Sequence, residues 1–345
     1  MDNVTPNRFN QGVAGSSPYD ILLPTWAGEV LTSYDYFNVF ETMVSQRSIV
    51  SGRELEFPVV GKIAGQEVWD AGEALEGGGG PTNSFKISLD DRPMVSHFEL
   101  DKIDLLVSQF EYRGEMARQC GQILARMRDS QIGALLVKAA ATAQSQAVLD
   151  DSGLDSRMGG SVITDSAFDV ATDSEAAALR VLKAIEDTRV SWENLDIDPN
   201  GSTVIVAPEL FHAIRRLGVA ETATDLAAGA GRPMFGGVAE AGGLGAGLTK
   251  GYRLDESLVY MDTKIVKSNN MPTDNRTSGD ANYQVDCSGT AGLMFKPEAV
   301  ASIRKLGVET TIWDDPRRNT TFVASQMFSG GGVMRPELAI QFKTS

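Results

Sequence analysis

Two stretches early in the chain alternate apolar and polar side chains with a period of two. The first contains Leu55, Phe57 and Val59, and the second covers residues 85–89. A period of two is typical of a half-buried β-strand. A long linker that includes the glycine run 77–80 separates the two stretches. The pattern predicts a β-hairpin with a long, glycine-rich tip.

The predicted hairpin has one apolar face that needs a cover. A ribbon of two isolated strands is only marginally stable in water. Another part of the same chain could bury this face, or the next subunit of an oligomer could do so. The alternation is the same in both cases, so both covers remain open at this point.

A long helix is predicted over residues 109–146, which contain no proline and many helix-favouring residues. Its apolar residues recur at spacings of three and four, which places them along one side of a helix. Cys120 and the methionines belong to this stripe, so we interpret them as core residues. At 1.5 Å per residue the helix would be roughly 57 Å long.

The remaining elements follow the same rules. Residues 1–27 are polar and predict an extended arm, while residues 150–173 and 218–250 are glycine-rich and predict turns and a loop. Helix 174–192 has Asp173 or Ser174 as its predicted N-cap. The other predicted elements are helix 28–46, strand 203–207, helix 208–217, strands near 258–261 and 293–295, and a short helix 297–305.

Composition narrows the function classes. The 345 residues include 46 acidic and 31 basic side chains, for a formal net charge of −15. Such a surface repels nucleic acid, because tight binding to the phosphate backbone needs clustered Lys and Arg. The sequence contains no run of 18 apolar residues, so it predicts no membrane-spanning helix. The two cysteines, Cys120 and Cys287, suit a reducing compartment.

Candidate catalytic residues are few. The chain has two histidines, His97 and His212, and neither lies in a nucleophile motif. We interpret both as partly buried structural histidines, with a hydrolase that uses one of them as the remote alternative. Zinc-binding spacings of Cys and His are absent. The sequence therefore predicts no catalytic residue, no cofactor and no metal.

Several short segments, in this order, resemble the major capsid proteins of T7-like phages, which have the HK97-type capsid fold. They are residues 28–32, residues 51–52 leading to Phe57-Pro58-Val59, residues 72–73 with Leu75, and Gly331-Gly332 followed by Arg335-Pro336-Glu337. The resemblance covers nearly the full length in order and spacing. Residues 150–173 and 218–250 match it poorly.

The resemblance implies an α+β chain with the HK97-like phage capsid fold. Residues 1–48 would form an N-terminal arm and residues 49–95 an extended loop over an adjacent subunit. Residues 96–173 would form a peripheral domain whose spine helix is 109–146, and residues 174–299 an axial domain. Residues 300–345 would supply the return strands of the peripheral domain.

The implied function is that of a structural subunit. Such chains assemble as pentamers and hexamers into an icosahedral head around double-stranded DNA, with a scaffolding protein, a portal and a decoration or minor capsid protein as expected partners. An encapsulin-like shell around a protein cargo is the alternative. The residues predicted to contact other subunits are Leu55, Phe57, Val59, Trp69, Glu73, Phe85, Ile87, Leu89, Asp314, Arg317 and Arg318.

Overall fold

The structure is a computed structural model, and it describes residues 22–60, 72, 82–101, 112–142, 159–220, 257–315 and 318–345. The elements are helix α1 (Leu22–Phe37), strands β1 (Ser45–Ser48), β2 (Glu54–Val60), β3 (Thr82–Ser88) and β4 (Met94–Asp101), helix α2 (Tyr112–Ala141), β5 (Ser161–Thr164), helix α3 (Ser174–Asn194), β6 (Thr203–Val206), helix α4 (Pro208–Ala220), β7 (Ser257–Tyr260), β8 (Thr263–Lys267), β9 (Thr290–Phe295), β10 (Val300–Asp315), β11 (Thr320–Val333) and β12 (Ala339–Lys343). Short 3-10 turns lie at Glu41–Met43, Ser166–Phe168, Ala281–Tyr283 and Pro336–Leu338.

The chain divides into two compact units. The first consists of Met1–Asn38, Asp90–Arg128 and Arg304–Ser329, and the second of Val39–Leu89, Asp129–Ile303 and Gly330–Ser345. Each unit consists of three separate segments of the chain, so neither corresponds to one continuous stretch of sequence. The long elements α2, β10 and β11 each contribute residues to both units.

The first unit packs two helices on a sheet. Strand β11 lies between β10 and β4 and pairs antiparallel with β4, while β1, on the other side of β10, belongs to the second unit. Val30 of α1 and Cys120 of α2 are buried in one cluster with Val323 of β11, and Tyr34 and Leu124 are buried in a second with Met327. Burial of Cys120 confirms its interpretation as a small apolar core residue.

The second unit has a six-stranded sheet, in the order β5-β12-β9-β6-β8-β7. Alternate residues of its strands point to opposite faces. Val204 and Val206 of β6 pack in the cluster that contains α3 and α4, whereas Ile205 packs in the cluster that contains residues 132–140 of α2. All four β6 residues are buried, which explains the continuous apolar run in the sequence.

The predicted long helix is present as α2, with 30 residues, or about 45 Å at 1.5 Å per residue. Residues 109–111 and 143–146 of the prediction lie outside the described residues. Helix α3 has Asp173 as its N-cap, as one of the two predicted alternatives stated. Its carboxylate accepts hydrogen bonds from the backbone N–H groups of Glu175 and Ala176, at 2.9 and 3.1 Å.

The prediction for the first helix was wrong at both ends. Helix α1 starts at Leu22, within the stretch predicted as an extended arm, and ends at Phe37 rather than near 46. Its end has a tertiary cause. The backbone N–H groups of Val39 and Phe40 donate to the carboxylate of Asp129, both at 3.0 Å, instead of continuing the helical pattern.

The predicted short helix 297–305 was also wrong. A turn at residues 296–299 leads into β10, which begins at Val300. Val300, Ala301 and Ile303 are all fully buried, so both faces of this part of the strand are covered. The proline at 297 suggested a helix start, but sheet pairing decided the conformation.

The stretch 150–173 was predicted to form turns, and its described part contains the strand β5. The predicted loop lies mostly outside the described residues, and its first three residues belong to α4.

Candidate assembly surfaces

Strands β2 and β3 form the predicted hairpin. They pair antiparallel, with Leu55 opposite Ile87 and Phe57 opposite Phe85. The backbone N–H of Leu89 donates to the carbonyl of Arg53 at 2.9 Å, which closes the base of the hairpin. The prediction of two paired strands is confirmed.

The chain itself buries the apolar side chains at the base of the hairpin. Phe57, Ile87 and Leu89 are only 2%, 4% and 2% exposed. The guanidinium of Arg47 lies 4.8 Å from the centre of the Phe57 ring. A Cβ built on Gly332 would lie 3.0 Å from the Ile87 side chain, so β11 and β3 touch closely here.

Phe57, Ile87 and Leu89 have little exposed surface in the single chain. A contact of these three side chains with another subunit remains a prediction. The sequence left open whether the same chain or another subunit buries this face. For these three side chains, the same chain does so. Leu55 is half-buried.

The outward face of the hairpin is polar. Glu54 and Glu56 of β2 and Lys86 of β3 are exposed. The ammonium of Lys86 lies 3.1 Å from the carboxylate of Glu56, directly across the strands. Exposed pairs of this kind contribute little to stability because water screens them, so this face is available for contacts without large loss of stability.

The other candidate contact residues differ in how much of each the structure describes. Val59, Phe85 and Asp314 lie in strands, but their side chains are not described. Trp69, Glu73 and Arg317 lie outside the described residues. Arg318 is exposed, with its guanidinium 4.0 Å from the carboxylate of Asp315. For these residues a subunit contact remains a prediction.

Asp129, which the sequence analysis did not identify, is a buried carboxylate that binds the segment following α1. It accepts hydrogen bonds from the backbone N–H groups of Val39 and Phe40, and from the side-chain amide of Asn270 at 2.7 Å. Burial raises the pKa of Asp129 to about 7, although these N–H donors oppose the rise and the nearby carboxylate of Glu41 adds to it. Glu41 is 1% exposed and accepts from the hydroxyl of Ser302 at 3.1 Å. The arrangement is structural, since each of these bonds ties one segment of the second unit to another.

Both histidines are more exposed than the sequence predicted. His97 on β4 and His212 on α4 are exposed, so their interpretation as partly buried residues was wrong. The side chain of His97 points to the open side of its sheet, and that of His212 lines a pocket of about 580 Å³ with Glu209, Arg215, Arg216 and Val170. The described lining of this pocket contains no serine, cysteine or threonine that could act as a nucleophile.

The described residues contain no group of three His, Cys, Asp or Glu side chains placed to hold a metal ion. No helix in these ranges is long and apolar enough to cross a membrane. Cys120 and Cys287 are buried and unbridged, and burial raises the pKa of both thiols, that of Cys287 to about 11.

Comparison with known proteins gives a match by fold. No family model and no curated protein matches the sequence. A capsid structure of cyanophage P-SCSP1u matches with a TM-score of 0.66 and 23% identity, over 99% of both chains. The asymmetric unit of the mature capsid of bacteriophage PhiM1 matches with a TM-score of 0.65 and 16% identity, over 90% of this chain and 88% of that one.

A virus-like particle from Pyrococcus furiosus is also similar, with a TM-score of 0.50 and 10% identity over 93% of this chain and 99% of that one. The two phage capsids are closer in fold than this particle. The chain therefore has the HK97-like fold of phage capsid proteins, an α+β fold as the sequence predicted.

Proposed function

We propose that this chain is the major capsid protein of a short-tailed, T7-like bacteriophage, with a structural rather than a catalytic role. The observation that carries the proposal is the match to a phage capsid structure over 99% of both chains. A match of that extent leaves almost no part of this chain for a separate catalytic domain.

The mechanism is assembly. Copies associate as pentamers and hexamers and close into an icosahedral head. Each contact can be modest, because a closed shell repeats it many times and holds each chain through several neighbours at once. The polar outward face of the β2–β3 hairpin, with Glu54, Glu56 and Lys86, suits a contact that stays partly hydrated.

The subdomain roles follow from the same proposal. Residues 1–48 act as the arm, 49–95 as the extended loop over an adjacent subunit, and 174–299 as the axial domain around the five- and sixfold axes. Residues 96–173 and 300–345 form the peripheral domain. Assembly takes place in the host cytoplasm with a scaffolding protein and a portal, and a decoration or minor capsid protein completes the virion.

The shell encloses double-stranded DNA without reading its sequence. A net charge of −15 per chain supports this, because an acidic lining repels packaged DNA and lets it slide during packaging. A mapped inner surface that is strongly basic would contradict this part of the proposal.

The decisive experiment is to express the full chain, alone and with a candidate scaffolding protein, and to image the products by negative-stain electron microscopy. Closed particles of uniform size are expected. Particles recovered from infected cells should contain DNA. Particles that contain a protein cargo and no DNA would support the encapsulin-like alternative instead, and a chain that stays monomeric under every assembly condition would overturn the proposal.

A further inference from the structure

An exposed aromatic face lies on the sheet of the first unit. Trp313 of β10 is 69% exposed, which is unusual for a residue with so large an apolar surface. Phe322 of β11 is half-buried, and the ring of His97 on β4 lies 5.7 Å from it. We call these three side chains the aromatic face.

The strand register brings the aromatic face together. The Gln326 side-chain amide donates to the Glu309 carboxylate at 3.3 Å, and the hydroxyls of Thr310 and Ser325 lie 3.1 Å apart. Both contacts join β10 to β11 in one antiparallel register. Continued toward the tip, that register puts Trp313 beside Phe322, on the face that also holds Glu309.

The opposite side of these strands is already covered. Val323 and Met327 of β11 and Met94 of β4 are buried in the core of the first unit, against the two helices. The aromatic face is thus the side of the sheet turned away from the chain's own helices. Tryptophan in such a position is typical of the anchor residues of protein interfaces.

A second surface of the same unit has matching chemistry. Ile123 and Met127, one turn apart on α2, are 47% and 41% exposed, and the exposed Arg126 lies next to them. We call these three side chains the helix stripe. Thioether sulfur and guanidinium groups both interact favourably with aromatic rings.

The charges of the two surfaces are complementary. Glu99 and Glu309 are exposed beside the aromatic face, since Glu99 pairs with Phe322 in the register of β4 and β11. The helix stripe contributes the positive charge of Arg126. Oppositely charged borders favour this docking over a contact between two aromatic faces, which would bring carboxylates together.

We propose that the aromatic face of one copy docks on the helix stripe of a second copy. Because the two surfaces differ, the contact is head-to-tail, and contacts of that kind generate rings when the rotation closes. This inference rests on the proposed function and names two of the surfaces that join the copies. Trp313 is the anchor, packed between Met127 and Ile123 of its neighbour.

Disulfide trapping tests the contact directly. A Trp313→Cys chain is mixed with a Met127→Cys chain, assembled, and exposed to a mild oxidant. Leu179→Cys on α3, which is 43% exposed in the other unit, replaces Met127→Cys as the matched control. The natural cysteines are only 5% and 0% exposed, so their background should be low.

The expected result is a disulfide-linked heterodimer at least tenfold more abundant with Met127→Cys than with Leu179→Cys.

Charge exchange gives a second readout that does not need cysteine. Glu309→Arg and Arg126→Glu should each lower particle yield several-fold, and the chain with both changes should recover most of it. Thermal unfolding of the unassembled variants shows whether each change leaves the fold intact.

The failures can be told apart. If the unaltered chain forms DNA-containing particles but Trp313→Cys links only to itself, or to nothing, this inference is overturned and the proposed function stands. If the unaltered chain forms no particles at all, the proposed function fails first.

Discussion

Gly121 allows α1 and α2 to approach closely in the first unit. A Cβ at this position would lie 2.5 Å from the carbonyl oxygen of Val30 and 2.8 Å from the Cβ of Ser33. Both neighbours belong to α1, and a backbone atom cannot move aside as a long side chain can. Glycine is therefore required here by packing, although it is a poor helix former.

We predict that Gly121→Ala lowers the free energy of unfolding by about 1–3 kcal/mol, as overpacking does, despite the better helix propensity of alanine. Gly114→Ala in the same helix is the matched control, because nothing lies within 4 Å of its Cβ position. The control should raise the free energy by up to about 1 kcal/mol. Urea unfolding of the unassembled chains measures both, and shifts of the same sign would contradict the packing argument.

Asp129 predicts a pH dependence of stability. Its pKa of about 7 in the fold exceeds the value near 4 of an unfolded chain. The folded state thus binds more protons between these values, so the contribution of Asp129 to stability is present at low pH and is lost as the pH rises through 7. The advantage of the unaltered chain over Asp129→Ala should be larger at pH 5 than at pH 8, as measured by urea unfolding.

Asp165 supplies the control of opposite sign. The backbone N–H of Ala167 and the guanidinium of Arg180 lower the pKa of its carboxyl. Its contribution is therefore present above about pH 4 and is lost as the pH falls through the lowered folded value. The effect of Asp165→Ala should shrink on acidification, in contrast to that of Asp129→Ala, and parallel pH profiles would rule out this assignment.

At the scale of elements, one face of the base of the β2–β3 hairpin packs in the core and the other faces solvent. Ile87 is 4% exposed and touches β11 at Gly332, whereas its neighbour Lys86 is exposed and pairs with Glu56. Adjacent residues of one strand thus face the core and the solvent.

We predict that Ile87→Ala lowers the free energy of unfolding by about 2–4 kcal/mol through lost burial and a cavity. Lys86→Ala should leave the free energy of unfolding nearly unchanged, because water and salt screen an exposed ion pair. Urea unfolding of the unassembled chain measures both. If Ile87→Ala leaves the unassembled chain as stable as before but reduces particle yield, another subunit rather than the same chain covers this face.

Local pattern was sufficient for elements whose cause is local. The alternation around Phe57 predicted β2, the proline-free apolar stripe predicted α2, and the N-cap candidates Asp173 and Ser174 predicted the start of α3. It failed where a distant group decides the conformation. Pro297 predicts a helix start, but the following residues pair in a sheet. The end of α1 depends on Asp129, about ninety residues away along the chain.

At the scale of the whole molecule, assembly should add to stability. A partner copy that binds only the folded chain shifts the unfolding equilibrium by mass action, so Tm depends on the concentration and on the assembled state. Particles isolated by sedimentation should unfold at a higher Tm than unassembled chains of the same preparation. Equal values by scanning calorimetry would indicate that the contacts between copies contribute little.

The sequence by itself determined the alternation, the long helix and the polar, acidic character, because each depends on residues close together along the chain. The order of these elements was also enough for a resemblance that predicted the capsid fold. The tertiary structure decided which apolar residues are covered. Phe57 and Ile87 are covered by their own chain, whereas Trp313 is exposed, and no local pattern separates these cases because the covering residues come from distant segments. The exposure of both histidines has the same physical reason.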